Sequence, residues 1–175
     1  MRFNKILLLV FSVFLMAGCG ANSEKKKALE RIATNEAKIF GDSKATIPDQ
    51  KTGMEMIQAY TDYANAWPKD TISAEFLFKG AEIAMNLNQS GMAIEYYNRI
   101  LLSYPAFTKR PYCLFLQAFI LENQMNQYDQ AKSRYQEFID KYPDHVLVKD
   151  AKASIENMGK PIEELIKQWD EKNSR

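Results

Sequence analysis

The chain is expected to fold as an all-α protein built from about three copies of one helical hairpin, with a capping helix at the C-terminus. Three observations carry this expectation. The dipeptides Trp67-Pro68, Tyr104-Pro105 and Tyr142-Pro143 recur with 37 residues from the first proline to the second and 38 from the second to the third, the period of a helix-pair repeat. Ahead of each proline the same apolar positions return: Met56, Ala93 and Ala131, then Tyr60, Tyr97 and Tyr135, then Tyr63, Ile100 and Phe138, then Ala64, Leu101 and Ile139. Intervals of three and four place each set on one helical face. The segments preceding the last two of these helices also align, Leu77 with Phe115, Ala81 with Phe119, Ile83 with Leu121, and Leu87-Asn88-Gln89 with Met125-Asn126-Gln127.

Taken in order, residues 1–18 have the build of a secretion signal. Arg2 and Lys5 precede the apolar run Ile6 to Ala17, which has the length of a signal h-region and is too short to span a bilayer. Met16-Ala17-Gly18-Cys19 follows, small residues that fit a peptidase cleft ahead of a thiol that can be alkylated. This tetrapeptide resembles a bacterial lipobox, with Met16 where that family more often has Leu. The resemblance implies cleavage after Gly18, attachment of lipid such as palmitate at Cys19, and a membrane-anchored mature chain. Among lipoproteins, Gly rather than Asp after the cysteine, here Gly20, implies the outer membrane; the domain is expected to face the periplasm, although no residue of the sequence fixes the face. Residues 19–27 are then the lipidated N-terminus and a linker. Its run Lys25-Lys26-Lys27 reads as a solvated stretch or as a contact to lipid head groups.

Residues 28–68 form a degenerate first repeat. Only its second helix recurs, because Ile47-Pro48-Asp49 and Gly53 interrupt the first; the partner is expected over Ala28 to Phe40, joined by a loop from Gly41 to Gln50. Residues 72–105 and 109–143 are complete hairpins. Their turns, Asn88 to Met92 and Asn126 to Gln130, hold Gly91 or Asp129 where a tight turn takes small or polar residues. Proline ends each second helix because it lacks an N–H and disfavours helical backbone in the residue before it. Residues 145–172 supply two more helices. The first, Val146 to Met158, carries Val146, Val148, Ala151, Ile155 and Met158 and stops at Gly159. The second opens at Pro161 with Glu163 and Glu164 in its first turn, and its face of Ile162, Leu165, Ile166 and Trp169 is expected to cover the end of the repeats.

The pattern from Ile72 to Pro143 resembles the tetratricopeptide repeat: small Ala81 in the first helix, Ala93 and Ala131 opening the second, aromatic Tyr97 and Tyr135, and the closing prolines. It departs at Phe119, bulky where that family has Gly or Ala, and at Glu122, where the preceding copy has Ala84. The helices of that copy are therefore expected to pack farther apart. The resemblance implies a right-handed solenoid whose first helices line a concave groove that takes peptides, with Glu75, Phe78, Glu82, Met85, Leu116, Ile120 and Asn123 facing it. Phe78, Met85, Leu116 and Ile120 form an apolar strip within that set, readable either as core under the first repeat or as binding surface. Among lipoproteins of this pattern the chain resembles the helical accessory subunit of the β-barrel assembly machine, though it is shorter, and more loosely periplasmic repeat proteins that coordinate envelope division. This implies a membrane-anchored adaptor for protein partners in the cell envelope.

Composition and motifs exclude most other classes. Without Arg2 and Lys5 the 23 basic residues become 21 against 22 acidic ones, and this balance, lacking a basic stripe, disfavours nucleic acid. After acylation of Cys19 the remaining Cys113 has no disulfide partner and reads as a small apolar residue. The sole histidine, His145, reads as a solvated helix start, with no second donor for a metal and no orienting acid for catalysis. Acidic neighbours such as Glu163 and Glu164, or Asp170 and Glu171, read as exposed charge, since adjacent helical carboxylates point apart. Phosphate loops, nucleophile elbows and zinc-binding helices are missing from the sequence. Tyr60, Tyr97 and Tyr135 share one repeat position and read as core, with hydroxyls at a polar rim. No enzyme, cofactor or metal is expected. The competing reading is a periplasmic or surface lipoprotein that binds a solute or glycan, and oligomeric state is not legible.

Overall fold

Every regular element among the described residues, 22–39 and 48–174 of a computed structural model, is an α-helix. These are α1 over 22–39, α2 (Gln50–Ala66), α3 (Thr71–Asn86), α4 (Ser90–Ser103), α5 (Arg110–Asn123), α6 (Tyr128–Lys141), α7 (Val148–Asn157) and α8 (Ile162–Asn173). The signal segment, Cys19, Gly20 and most of the loop expected over Gly41 to Gln50 lie outside the described residues. The fold is the expected all-α, tetratricopeptide-like series of helical hairpins. The chain divides into two compact units, residues 1–76 and 77–175.

One device ends three helices alike. Trp67, Tyr104 and Tyr142 each leave the helix at φ −128°, −127° and −133° with ψ 63°, 70° and 58°, each N–H still bonded four residues back, to Tyr63, Ile100 and Phe138. The following proline keeps these residues out of the α region. Each carbonyl then accepts from the residue three further on, Asp70 at 3.0 Å, Phe107 at 3.1 Å and His145 at 3.0 Å, making a turn with proline at its second position.

In the first unit α1 and α2 run antiparallel. Tyr60 Oη donates to Glu36 Oε1 at 2.6 Å and Arg31 reaches Asp62 at 3.5 Å, so partners descend one helix as they ascend the other, and Lys25 Nζ meets Asp70 Oδ2 at 2.6 Å in the turn after α2. Ile32 is buried on the α1 side of the pair. Residues 22–27 are thus helix, not linker, and the lysine run is structured: Lys26 pairs with Glu30 and Lys27 with Glu24, four and three residues away on the same helix. The segment Pro48-Asp49 is a helix start and not a break. Asp49 Oδ1 accepts from the N–H groups of Lys51 and Thr52 at 3.0 and 3.1 Å, satisfying donors that no helical carbonyl reaches. Gly53 lies buried inside α2. Asp70 does the same for α3, accepting from Ile72 N–H at 3.2 Å while Tyr63 Oη donates to its other oxygen at 2.6 Å. The Lys25 ammonium, then the Tyr63 hydroxyl, hold its carboxyl below the usual range. Tyr60 and Tyr63 close this core against Phe76, with ring centroids at 5.2 and 4.9 Å.

In the second unit α5, α6 and α7 pack around Leu114, Ala118, Tyr135, Phe138 and Ala151. The turns before α4 and α6 bend at Asn88 (φ 56°) and Asn126 (φ 53°), not at Gly91 or Asp129. Both asparagines occupy one repeat position in the left-handed region, where a short polar side chain is better tolerated than a branched one. Gly91 sits in the first turn of α4, and a Cβ there would meet nothing within 4 Å. Asn126→Val is therefore expected to cost about 1–2 kcal/mol in a urea melt, whereas Gly91→Ala costs nothing; equal losses would mean that the turn does not depend on Asn126.

Gly159 ends α7 as expected, at φ 73°, its chain laid against the Tyr128 ring. The helix itself is shorter than Val146 to Met158, and Val146 is 79% exposed rather than core. Pro161 stands one place before α8. Covering of the repeat end by α8 is met only at half-buried Leu165; Ile162, Ile166 and Trp169 are 63%, 54% and 67% exposed.

Candidate binding surface

The seven residues expected to line a groove fall on one face each of α3 and α5, at spacings of three and four, but burial separates them. Glu75 is half-buried in the first unit. In the second unit Phe78 and Ile120 are buried, Glu82, Met85 and Leu116 are half-buried, and Asn123 is exposed, donating through Nδ2 to the Phe119 carbonyl at 3.0 Å. Phe78 packs on Tyr97 and Phe107, with Lys109 Nζ 4.9 Å from its ring centre. The apolar strip is thus part core and part accessible.

Gln124 joins the two helix ends below this face. Its Nε2 donates to the Met85 carbonyl at 2.9 Å and its Oε1 accepts from Ser90 Oγ at 2.7 Å. Sequence reasoning missed Gln124, since a polar residue at a helix end looks like ordinary solvated surface. Arg110 does similar work at the other end, donating to the carbonyls of Leu101 and Pro105 at 3.1 and 3.2 Å. Phe119 is 39% exposed while its neighbour Ala118 is fully buried, so a bulky residue at position 119 does not force the helices apart.

The shared tyrosine position shows why Glu122 replaces Ala84. Tyr135 Oη donates to Glu122 Oε2 at 2.9 Å, whereas the Tyr97 hydroxyl is buried with no partner among the described residues. Burial, and for Tyr97 next the Glu82 charge, pushes both phenols well above their usual range. Tyr60 and Tyr135 thus have the expected polar rim and Tyr97 does not. Tyr135→Phe is expected to cost about 1–2 kcal/mol and Tyr97→Phe to cost nothing or to stabilise slightly, because only the first strands a charged acceptor. Equal costs in chemical denaturation would contradict this pairing.

His145 is not simply solvated. Its Nδ1 accepts from Leu147 N–H at 3.2 Å, and its ring packs edge-on against Tyr112 and Phe138 at 4.9 and 5.3 Å. Cys113 is buried, and burial pushes its thiol up to about 12, far from the reactive range. Among the described residues no three of His, Cys, Asp and Glu gather as metal ligands, and no helix is long and apolar enough to cross a membrane. A cleft of about 640 Å³ opens between α4, α5 and α6 over buried Gln117, whose Nε2 donates to the Ile94 carbonyl at 3.2 Å and to Asn98 Oδ1 at 2.8 Å.

No curated protein matches the chain. A family model described as the tetratricopeptide repeat matches residues 112–145, the stretch that holds most of α5, all of α6 and the Tyr142-Pro143 stop. The chain therefore contains a tetratricopeptide-like repeat within an all-helical fold.

Proposed function

We propose that this chain is a lipid-anchored scaffold of the bacterial cell envelope that acts by binding other proteins and not by catalysis. The observation that carries the protein-binding part of this reading is the tetratricopeptide match on α5 and α6, a repeat type whose stacked hairpins present extended surfaces to peptides; the anchor rests on the lipobox-like Met16-Ala17-Gly18-Cys19 of the sequence. The accessible members of the α3 and α5 faces in the second unit, Glu82, Met85, Leu116 and Asn123, supply the contact surface, while Phe78 and Ile120 support it from below. Cys19 carries the lipid, Gly20 directs the protein to the outer membrane, and the repeats face the periplasm, with assembly of outer-membrane proteins as the process it serves.

Two measurements test this. Cys19→Ala is expected to move the protein from the carbonate-washed membrane fraction to the soluble fraction with its helical circular dichroism unchanged; retention on the membrane would overturn the anchor. A photo-crosslinker at Leu116 or Asn123 in intact cells is expected to trap discrete protein neighbours, and recovery of none above background would overturn the scaffold.

A further inference from the structure

The C-terminal helix carries a second surface, separate from the α3 and α5 faces. At 100° per residue, Ile162, Leu165, Ile166 and Trp169 share an arc of about 100° on α8. Leu165 borders a cleft of about 760 Å³ against α7. Along that edge polar groups satisfy one another: Lys160 Nζ donates to Gln168 Oε1 at 3.4 Å, and Gln168 Nε2 to Glu164 Oε1 at 3.0 Å. The opposite edge, beside Ile162 and Ile166, is flanked by Glu163 and Asp170. These stand seven residues and about 10 Å apart along the axis. Among the described residues neither carboxylate has an ion-pair partner.

Exposure of Ile162 and Ile166 at 63% and 54% leaves an apolar stripe facing water beside two carboxylates at heptad spacing. Their charge decides what covers it. A second copy docked antiparallel through the same face would set Glu163 of one chain against Asp170 of the other, a like-charge contact. An anionic lipid surface is repelled for the same reason. A helix bearing an apolar stripe with Lys or Arg along one edge, seven residues apart, meets both features at once, burying the isoleucines and pairing the carboxylates. We infer that α8 docks a basic amphipathic helix of another protein along the face of Ile162, Ile166 and Trp169, with Glu163 and Asp170 fixing its register.

The test uses the full chain and two synthetic helices with the same heptad leucines, one edged with lysines and its twin with glutamates, followed by fluorescence anisotropy near physiological salt. The lysine helix is expected to bind at least ~10-fold tighter than its twin, a difference of two close charge pairs. Ile166→Asp is expected to lower that affinity at least ~10-fold with the melting temperature unchanged, because the side chain is exposed. Glu163→Lys with Asp170→Lys is expected to reverse the preference between the helices. Absence of a preference, or a preference that survives both sets of variants, would overturn the docking. So would a dimer in sedimentation that Ile166→Asp dissolves, which would assign the face to a second copy. Binding to phosphatidylglycerol vesicles that Ile166→Asp abolishes would assign it to a membrane and equally overturn the proposal.

Discussion

Replacing Phe78 with Glu is expected to lower the unfolding free energy by about 3–5 kcal/mol, since it removes a buried aromatic side chain and places a carboxylate where water does not reach. Phe78 is 5% exposed and meets the rings of Tyr97 and Phe107 at centroid distances of 5.7 and 6.0 Å. The Lys109 ammonium lies close enough to the ring to soften the penalty, but only by pulling the new carboxylate toward the edge of the unit and leaving its former place unfilled. Urea denaturation followed by circular dichroism measures the loss. Leu116→Glu, at a half-buried position of the same proposed face, is expected to cost clearly less and to act on binding. Equal, small losses at both positions would return Phe78 to the binding surface and remove it from the core.

Phe138→Ala is expected to be as costly, again about 3–5 kcal/mol, by lost burial and the cavity it leaves. Phe138 is fully buried at the centre of the matched repeat, with Phe115, His145 and Tyr142 around it at 5.6, 5.3 and 6.0 Å. Those rings come from α5 and from the turn after α6, so collapse onto the gap would have to move the Tyr142-Pro143 stop as well as the helix. Near-ultraviolet circular dichroism, which reports these aromatic neighbours, should weaken along with the urea midpoint. Phe138→Leu, which keeps most of the volume, should recover most of the loss. A cost under about 1 kcal/mol for the alanine variant would mean that α5, α6 and α7 do not share a tightly packed core.

The parts of this fold that were legible in the sequence are those that local physics decides. Trp67, Tyr104 and Tyr142 must leave the helix because proline follows, and the interval between the prolines sets the repeat. Ala93, Ala131, Tyr97 and Tyr135 could be placed in the core because helical spacing puts them on one face. What escaped depends on partners distant in the chain. Periodicity over Ala28 to Phe40 gives no sign that the helix begins by residue 22, since the tie that orders Lys25 comes from Asp70, far along the chain in the turn after α2. Pro48-Asp49 has the composition of a break and of a helix start alike, and only the side-chain bonds of Asp49 distinguish them. The same limit applies at the site. Helical spacing put Phe78 and Met85 on one face of α3 and Leu116 and Ile120 on one face of α5, but could not say which of them a neighbour covers. It identified the apolar face of α8 and not what lies opposite. Gln124 left no signal, because its two hydrogen bonds are made to residues of other elements.

The antiparallel arrangement of α1 and α2 has a mechanical meaning under the proposed anchor at Cys19. A tether attached there enters the fold at the start of α1, at the same end of the hairpin where the chain leaves α2, so a pull between the tether and the helices that follow opens the pair by peeling from that end. Lys25 with Asp70, in the turn after α2, stands at that end, with Arg31 and Asp62 and then Tyr60 and Glu36 farther in, so the contacts would give way one after another and not together. The first hairpin, the least regular of the repeats in sequence, would then be the part of the molecule that carries tension between a moving membrane and whatever the repeats hold.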